Sequence, residues 1–325
     1  MSEAIVLAGG FGTRLRPITY SLHKLLVEVV GKPILGHLLD SLPREVTRVI
    51  LAVHYLKESI QEYVNSRDDG REYIIVEEDR PLGTGGAIKN VEKYVQSDDF
   101  LVFNGDIISS LNPLELLNKR REKNAIGVIS VYKVNDASQY GLVKFDDSMR
   151  IVEFIEKPKE YVGPAYINAG TYALSKEIFN YIEAGKEVSI EKEVFPNVIK
   201  YGLYAYPFEG YWIDCGTPGR LLRAKDLLLE SMGLDNYIGP GAKVLGSLIR
   251  SSVERNVIVE RGCVVENSII MHGCRIGEGS VIRGSVIGPE VEVPPGSVIV
   301  NSVIEGWTKL EGKVDVSGVK IRRRM

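Results

Sequence analysis

The chain has 325 residues, 44% hydrophobic and 26% charged, an ordinary globular balance with length enough for two domains of roughly 100–200 residues each. Its formal net charge of −3 gives no basic excess to attract polyanions, so extended nucleic-acid or membrane-surface binding has no electrostatic support. Three cysteines, Cys215, Cys263 and Cys274, are odd in number and lack close metal-type spacing, which argues against a disulfide framework or a zinc site.

The N-terminus has no basic stretch leading into an apolar segment, and no apolar run approaches 18 residues. The expectation is a cytoplasmic protein, neither secreted nor membrane-spanning. Residues 4–8 (AIVLA) read as a buried strand followed at once by a glycine-rich turn. Residues 35–42 have helical spacing, and residues 49–53 (VILAV), 73–76 and 100–103 continue a series of buried strands. Continuous apolar runs with helices between them predict an α/β domain with a Rossmann-like, mostly parallel sheet covered on both faces. In such sheets ligands sit beyond the carboxyl ends of the strands.

Residues 219–234 read as one linking helix, after which the rhythm changes. Ser251-Ser252-Val253, Ser268-Ile269-Ile270, Ser285-Val286-Ile287 and Ser302-Val303-Ile304 recur at a spacing of 17, and within each period aliphatic residues follow at six-residue steps. Val253, Val259 and Val265 are one such set; Ile270, Ile276 and Ile282 are the next; Ile287, Val293 and Ile299 are the third. Three sides per coil, with glycine- or asparagine-rich corners, predict a left-handed parallel β-helix of hexapeptide repeats. A 17-residue coil is one residue short of three hexapeptides, so one corner is expected to be tighter. The division is placed at residues 1–232 for a catalytic domain including the linking helix, and 233–325 for the β-helix with its basic tail.

The first strand runs into Leu7-Ala8-Gly9-Gly10-Phe11-Gly12-Thr13-Arg14-Leu15-Arg16-Pro17. Glycines at that point let backbone N–H groups approach phosphate oxygens without Cβ obstruction. Leu15 breaks the dinucleotide pattern and no GK[ST] follows, so neither a Rossmann fingerprint nor a P-loop is present. Arg14 and Lys24 are suited to neutralising a triphosphate and a leaving pyrophosphate.

The stretch LAGGFGTRLRP, then Lys24 and Lys32-Pro33-Ile34, resembles the opening of the sugar-1-phosphate nucleotidyltransferases. Further motifs follow in order. PLGTGGA at 81–87 resembles the loop that faces the nucleobase, and FNGD at 103–106 a strand end with a metal-binding aspartate. Tyr140-Gly141, Glu156-Lys157-Pro158 and INAGTY at 167–172 resemble the sugar-phosphate side. GYWIDCGTP at 210–218 resembles the segment with the second metal-binding aspartate.

That resemblance implies attack of a sugar-phosphate oxygen on the α-phosphorus of a nucleoside triphosphate. It implies nucleotide binding by Leu7, Ala8, Gly9, Gly10, Gly12, Thr13 and Gly83, and Mg²⁺ held by Asp106 and Asp214. Arg14, Lys24 and Lys157 are implied as the catalytic cations, with Gly141, Glu156, Lys157 and Asn168 on the sugar phosphate. Two anions must meet, so charge cancellation and alignment dominate, and an already ionised phosphate needs no general base. The four histidines therefore need no catalytic role.

Alone, Asp106 is equally readable as a turn aspartate, whereas Trp212 reads as a packing residue and Cys215 as buried filler. The best reading by resemblance is a mannose-1-phosphate guanylyltransferase acting on GTP. The alternatives are a glucose-1-phosphate thymidylyl-, uridylyl- or adenylyltransferase, or a non-catalytic regulatory subunit of the same fold. His272 in the β-helix raises a second, acyl-transfer activity as a lesser reading. Open coil ends need covering, which predicts a homo-oligomer through the β-helix.

Overall fold

The structure, a computed structural model, describes residues 2–156 and 163–323. Contacts divide the chain into two compact units, Met1–Gly10 with Leu38–Trp212, and Phe11–His37 with Ile213–Met325. The segment that follows the glycine pair therefore packs with the C-terminal part of the chain.

In the first unit, β1 (Ser2–Ala8), β2 (Val46–Val53), β3 (Glu72–Glu77) and β4 (Asp99–Asn104) are parallel, in the order β3-β2-β1-β4. Ile5 lies level with Ile50 on one side and Val102 on the other, all fully buried. Such unbroken apolar runs are what a strand covered on both faces requires. Helix α1 (Ile34–Ser41) precedes β2. After it come α2 (Lys57–Asn65), α3 (Gly83–Asn90) and α4 (Pro113–Lys123). Helix α2 buries Ile60 and Val64, one turn apart. Helix α4 starts with Asn112 accepting the Leu114 N–H at 3.2 Å and Pro113 at its first position, and ends at left-handed Asn124.

Beyond β4 the sheet becomes mixed. Strand β5 (Gly127–Val134) and the hairpin of β6 (Gly141–Phe145) and β7 (Ile151–Glu156) lead to β8 (Ala165–Ser175), which is antiparallel to β4 and β5. Strand β9 (Leu203–Pro207) returns parallel to β5. The β6–β7 connection is too short for a crossover helix, so an antiparallel pair is forced. Asp146 shapes that turn by accepting the N–H groups of Ser148 and Arg150 at 2.9 and 3.0 Å. The parallel order reverses between β1 and β4, which puts the ligand-binding crevice at their carboxyl ends.

In the second unit, residues 237–321 coil into three parallel sheets of six, four and five strands. From Ser247 on, paired residues lie 17 positions apart, as in Val253 with Ile270, Ile270 with Ile287 and Ile287 with Ile304, whereas Tyr237 and Lys243 in the first coil pair 15 positions on. The sequence-predicted aliphatic positions form the core, with Val293 at 3% the most exposed of them. The tight corner is the five-residue step from Val265 to Ile270, turned by Asn267 at φ 44°; Gly284 and Asn301 do the same one and two coils on. Left-handed backbone there explains the glycines and asparagines.

A column of buried serines runs up the same corner. Ser251, Ser268, Ser285 and Ser302 each accept the N–H of the next coil at 3.0–3.2 Å. Cys263 takes the equivalent place in the companion column of Ser280 and Ser297, its thiol donating to the Gly277 carbonyl at 3.1 Å.

Helix α5 (Pro218–Met232) is capped by Thr217 and closed by left-handed Gly233. It plants the wholly buried Lys225 against Asp226 at 2.7 Å and the Asn267 side chain at 3.0 Å. The small hairpin of Glu28–Val29 and Lys32–Pro33 is stapled to the first coils. Val30 donates to Ser252 at 3.1 Å, Gly31 donates to Glu254 at 2.9 Å, and His272 Nδ1 lies 2.7 Å from Glu28. Among the described residues, no helix is long and apolar enough to cross a membrane.

Candidate active site

The carboxyl end of β1 delivers Leu7 and Ala8, then Gly9 and Gly10, to the ligand edge of the first unit. Leu7 also accepts the Gly105 N–H at 3.1 Å, which fixes the turn after β4 that carries Asp106. Next to it, the buried Asn104 Oδ1 has no hydrogen-bond partner among the described residues. A Cβ on Gly170, which has φ 72°, would stand 2.7 Å from the Asn104 amide nitrogen, so glycine is required there.

Glu78, just past β3, was missed by sequence reasoning. It is 4% exposed, and its Oε2 accepts the Leu82 N–H at 3.3 Å while its Oε1 is buried with no partner among the described residues. Burial pushes its carboxyl above the usual range. A Cβ on Gly9 would lie 3.2 Å from Oε1. One carboxylate thus touches both the glycine-rich turn and the head of the 81–87 loop. The only sequence signal was an acidic pair at the end of a strand.

Gly83, Gly85 and Gly86 serve close packing in this unit. The N–H groups of Gly85 and Gly86 donate to the Val188 carbonyl at 2.8 and 3.2 Å, and a Cβ on Gly83 would come 2.6 Å from that oxygen. Gly141 and Glu156 are directly paired across β6 and β7, and Ile167 beside Asn168 is level with Leu142. Trp212 is a packing residue: its indole donates to the Ala169 carbonyl at 2.9 Å and meets Tyr140 edge-on at 5.4 Å.

In the second unit, Gly12 (φ 60°) opens a short 3₁₀ turn, Thr13–Leu15, rather than an α-helix. The site here is built from loop backbone, without a long helix dipole behind it. A Cβ on Gly12 would lie 3.0 Å from Thr19 and 3.1 Å from Lys24, so the turn and the 8%-exposed Lys24 are packed together. Arg14 lies 3.9 Å from Asp214, whose carboxylate also takes Arg220 at 2.6 Å and the Gly216 N–H at 2.6 Å. Arg220 is a second residue that sequence reading did not single out; its sole signal was a basic residue in the first turn of a helix.

Lys157 lies outside the described residues, as does the side chain of Glu156. Among the described residues no group of three or more His, Cys, Asp or Glu side chains could hold a metal. Mg²⁺ does not need such a cage, because it is bound through one or two carboxylates with water and substrate phosphates. Asp106, with the orphaned amide oxygen of Asn104 two residues before it, and Asp214 fit that donor chemistry.

The histidines are all engaged structurally. His23 Nδ1 accepts from Leu25 at 3.1 Å, His37 and His54 bond the carbonyls of Val29 and Glu78 at 2.7 Å, and His272 holds Glu28. The three cysteines are buried and in no disulfide, and burial pushes the Cys274 thiol up to about 12.

The sequence profile of a family described as nucleotidyl transferase matches residues 3–231, and one described as GlmU-like, C-terminal hexapeptide matches residues 218–320. The chain is 34% identical to a mannose-1-phosphate guanylyltransferase of Mycobacterium tuberculosis, over 91% of this chain and 82% of that protein. It is 38% identical to a mannose-1-phosphate guanylyltransferase catalytic subunit beta of Drosophila melanogaster, over 81% of this chain and 72% of that one. The crystal structure of HddC from Yersinia pseudotuberculosis complexed with GMP-PN is similar with a TM-score of 0.59 and 31% identity, covering 70% of this chain and all of that one.

Proposed function

We propose that this chain, which belongs to the nucleotidyl transferase family, joins GTP to mannose 1-phosphate and releases pyrophosphate. The enzyme class follows from the family; the base and the sugar are the inference. Glu78 carries the choice of base. Guanine presents two neighbouring donors on one edge, N1–H and the N2 amino group, and a carboxylate accepts such a pair in bidentate fashion. Uracil and thymine present one N–H between two carbonyl oxygens, which a carboxylate repels. Adenine presents a donor beside an acceptor. Glu78, buried with an oxygen to spare beneath Gly9, therefore favours guanine. The relatives named for mannose-1-phosphate guanylyl transfer support the same reading.

Arg14 would hold the departing pyrophosphate, Lys24 would stabilise charge growing at the α-phosphorus, and Lys157 would grip the sugar phosphate. Asp106 and Asp214 are the proposed Mg²⁺ ligands; the ion supplies charge neutralisation between the two reacting phosphates. Leu7, Ala8, Gly9, Gly10, Gly12, Thr13 and Gly83 would line the nucleotide, and Gly141, Glu156 and Asn168 would meet the sugar. The buried thiols, in no disulfide, suit a reducing cytoplasm. Ile238, Leu245 and Ile249, each at least 47% exposed on the first coil, support self-association through the β-helix. The test is pyrophosphate release from each of the five nucleoside triphosphates with a panel of sugar 1-phosphates. GTP with mannose 1-phosphate should give the highest kcat/KM, and preference for another pair would overturn this assignment.

A further inference from the structure

A buried carboxylate outside the residues already assigned connects the two substrate-facing parts of the first unit. Glu191 is 9% exposed and lies on a single π-helical turn, Ile190–Val194, a geometry that recurs at functional sites. Its Oε2 accepts from the Thr84 hydroxyl at 2.5 Å and from the Ser189 hydroxyl at 3.0 Å, while its Oε1 accepts from the Tyr172 hydroxyl at 3.2 Å.

The direction of every proton in this network is fixed. Asn168 Oδ1 takes the Gly170 N–H at 2.9 Å, so its amide nitrogen faces the Tyr172 oxygen, at 2.8 Å. Having accepted that hydrogen, Tyr172 turns its own proton toward Glu191. Thr84 accepts the Ile190 N–H at 3.0 Å and likewise sends its proton to Glu191. A carboxyl group has lone pairs enough to receive all three hydroxyls at once. Among the described residues, one N–H and one lone pair of Asn168 are left over, aimed in directions the network dictates.

We propose that Glu191 is a positioning residue for sugar selection: through Tyr172 it locks the amide of Asn168, and through Thr84 it ties that amide to the 81–87 loop. This rests on Asn168 facing the sugar in the reading above. A sugar whose hydroxyls match the locked donor and acceptor is kept. Its epimer leaves one of them unpaired in a partly buried site, and such mismatches discriminate strongly.

The test is Tyr172→Phe, which keeps the ring and its edge contact with Phe195 but removes the link. The ratio of kcat/KM for mannose 1-phosphate over glucose 1-phosphate is expected to fall about tenfold or more. The KM for sugar 1-phosphate should rise, while that for GTP stays within about twofold. Glu191→Gln, which turns one acceptor into a donor, should raise both. An unchanged epimer ratio in Tyr172→Phe overturns the proposal, whether or not Glu191→Gln folds. The Asn168 side-chain amide signals give a readout independent of turnover: protection from solvent exchange in the wild type should be lost in Tyr172→Phe, and equal exchange also overturns it. Wild-type protein inactive on both sugars would instead count against the functional reading, leaving the amide test standing.

Discussion

Arg14 and Asp214, far apart in the chain, face each other at 3.9 Å over a glycine that leaves no room for a methyl group. A Cβ on Gly216 would lie 2.7 Å from the Arg14 guanidinium and 2.6 Å from the Asp214 carboxylate. Both neighbours are flexible side-chain ends, so Gly216→Ala should fold with its melting temperature little changed. Displacing Arg14 should nevertheless lower turnover about 10²-fold, the usual effect of a 1 Å misplacement. Steady-state kinetics beside a thermal melt check this; near-normal turnover would remove Arg14 from the pyrophosphate side.

Chelation with EDTA should abolish pyrophosphate release, and added Mg²⁺ should restore it. Asp106→Ala and Asp214→Ala should each lower turnover by about 10²-fold or more with the fold intact by circular dichroism. A variant that kept wild-type turnover and Mg²⁺ dependence would have no ligand role.

Glu78→Gln replaces one of two acceptors with a donor beneath Gly9. The kcat/KM for GTP should fall roughly 10- to 100-fold, the range for one lost charged hydrogen bond, while that for UTP or dTTP holds or rises. A uniform loss across all nucleotides would show that Glu78 does not read the base.

Burial and then the nearby Glu28 push the Glu254 carboxyl up to about 7 from 4.5. It packs under the 28–33 hairpin, with Tyr237, Glu28, Arg255 and His272 as its ionisable surroundings. The folded chain thus keeps a proton that the unfolded chain releases. Its contribution is complete below about pH 4.5 and is lost as pH rises through about 7. Glu254→Gln, neutral throughout, should gain stability over the wild type by about 2–3 kcal/mol between pH 5 and 8. Urea melts at both ends of that range would test it, and parallel curves would dismiss it.

Ser285 accepts the Ser302 N–H at 3.0 Å and donates to the Arg283 carbonyl at 2.7 Å, fully buried. Ser285→Ala strands that N–H and should cost about 1–3 kcal/mol. Ser285→Cys should recover part of it, since Cys263 already serves in the companion column. Equal denaturation midpoints for all three proteins would mean the column is not a stabilising ladder.

The β-helix was legible in the sequence because its information is local and repeated. Each coil needs its inward aliphatic residue, its left-handed corner and its buried serine at the same phase, so a 17-residue period shows directly. The strand-then-glycine opening was legible for the same reason, as a turn is made by neighbouring residues. The antiparallel half of the sheet was less so, since a buried run looks alike whichever way its neighbour points.

Pairings between distant residues were decided only by the tertiary structure. Nothing in the pattern around Glu78, Arg220 or Glu191 says that one lies under Gly9, another grips Asp214 and the third gathers three hydroxyls. Nor does it say that residues 11–37 pack in one unit with residues 213–325. Sequence periodicity records which face of an element is apolar. Which polar group meets which depends on backbones brought together by burial, and that is a property of the folded chain alone.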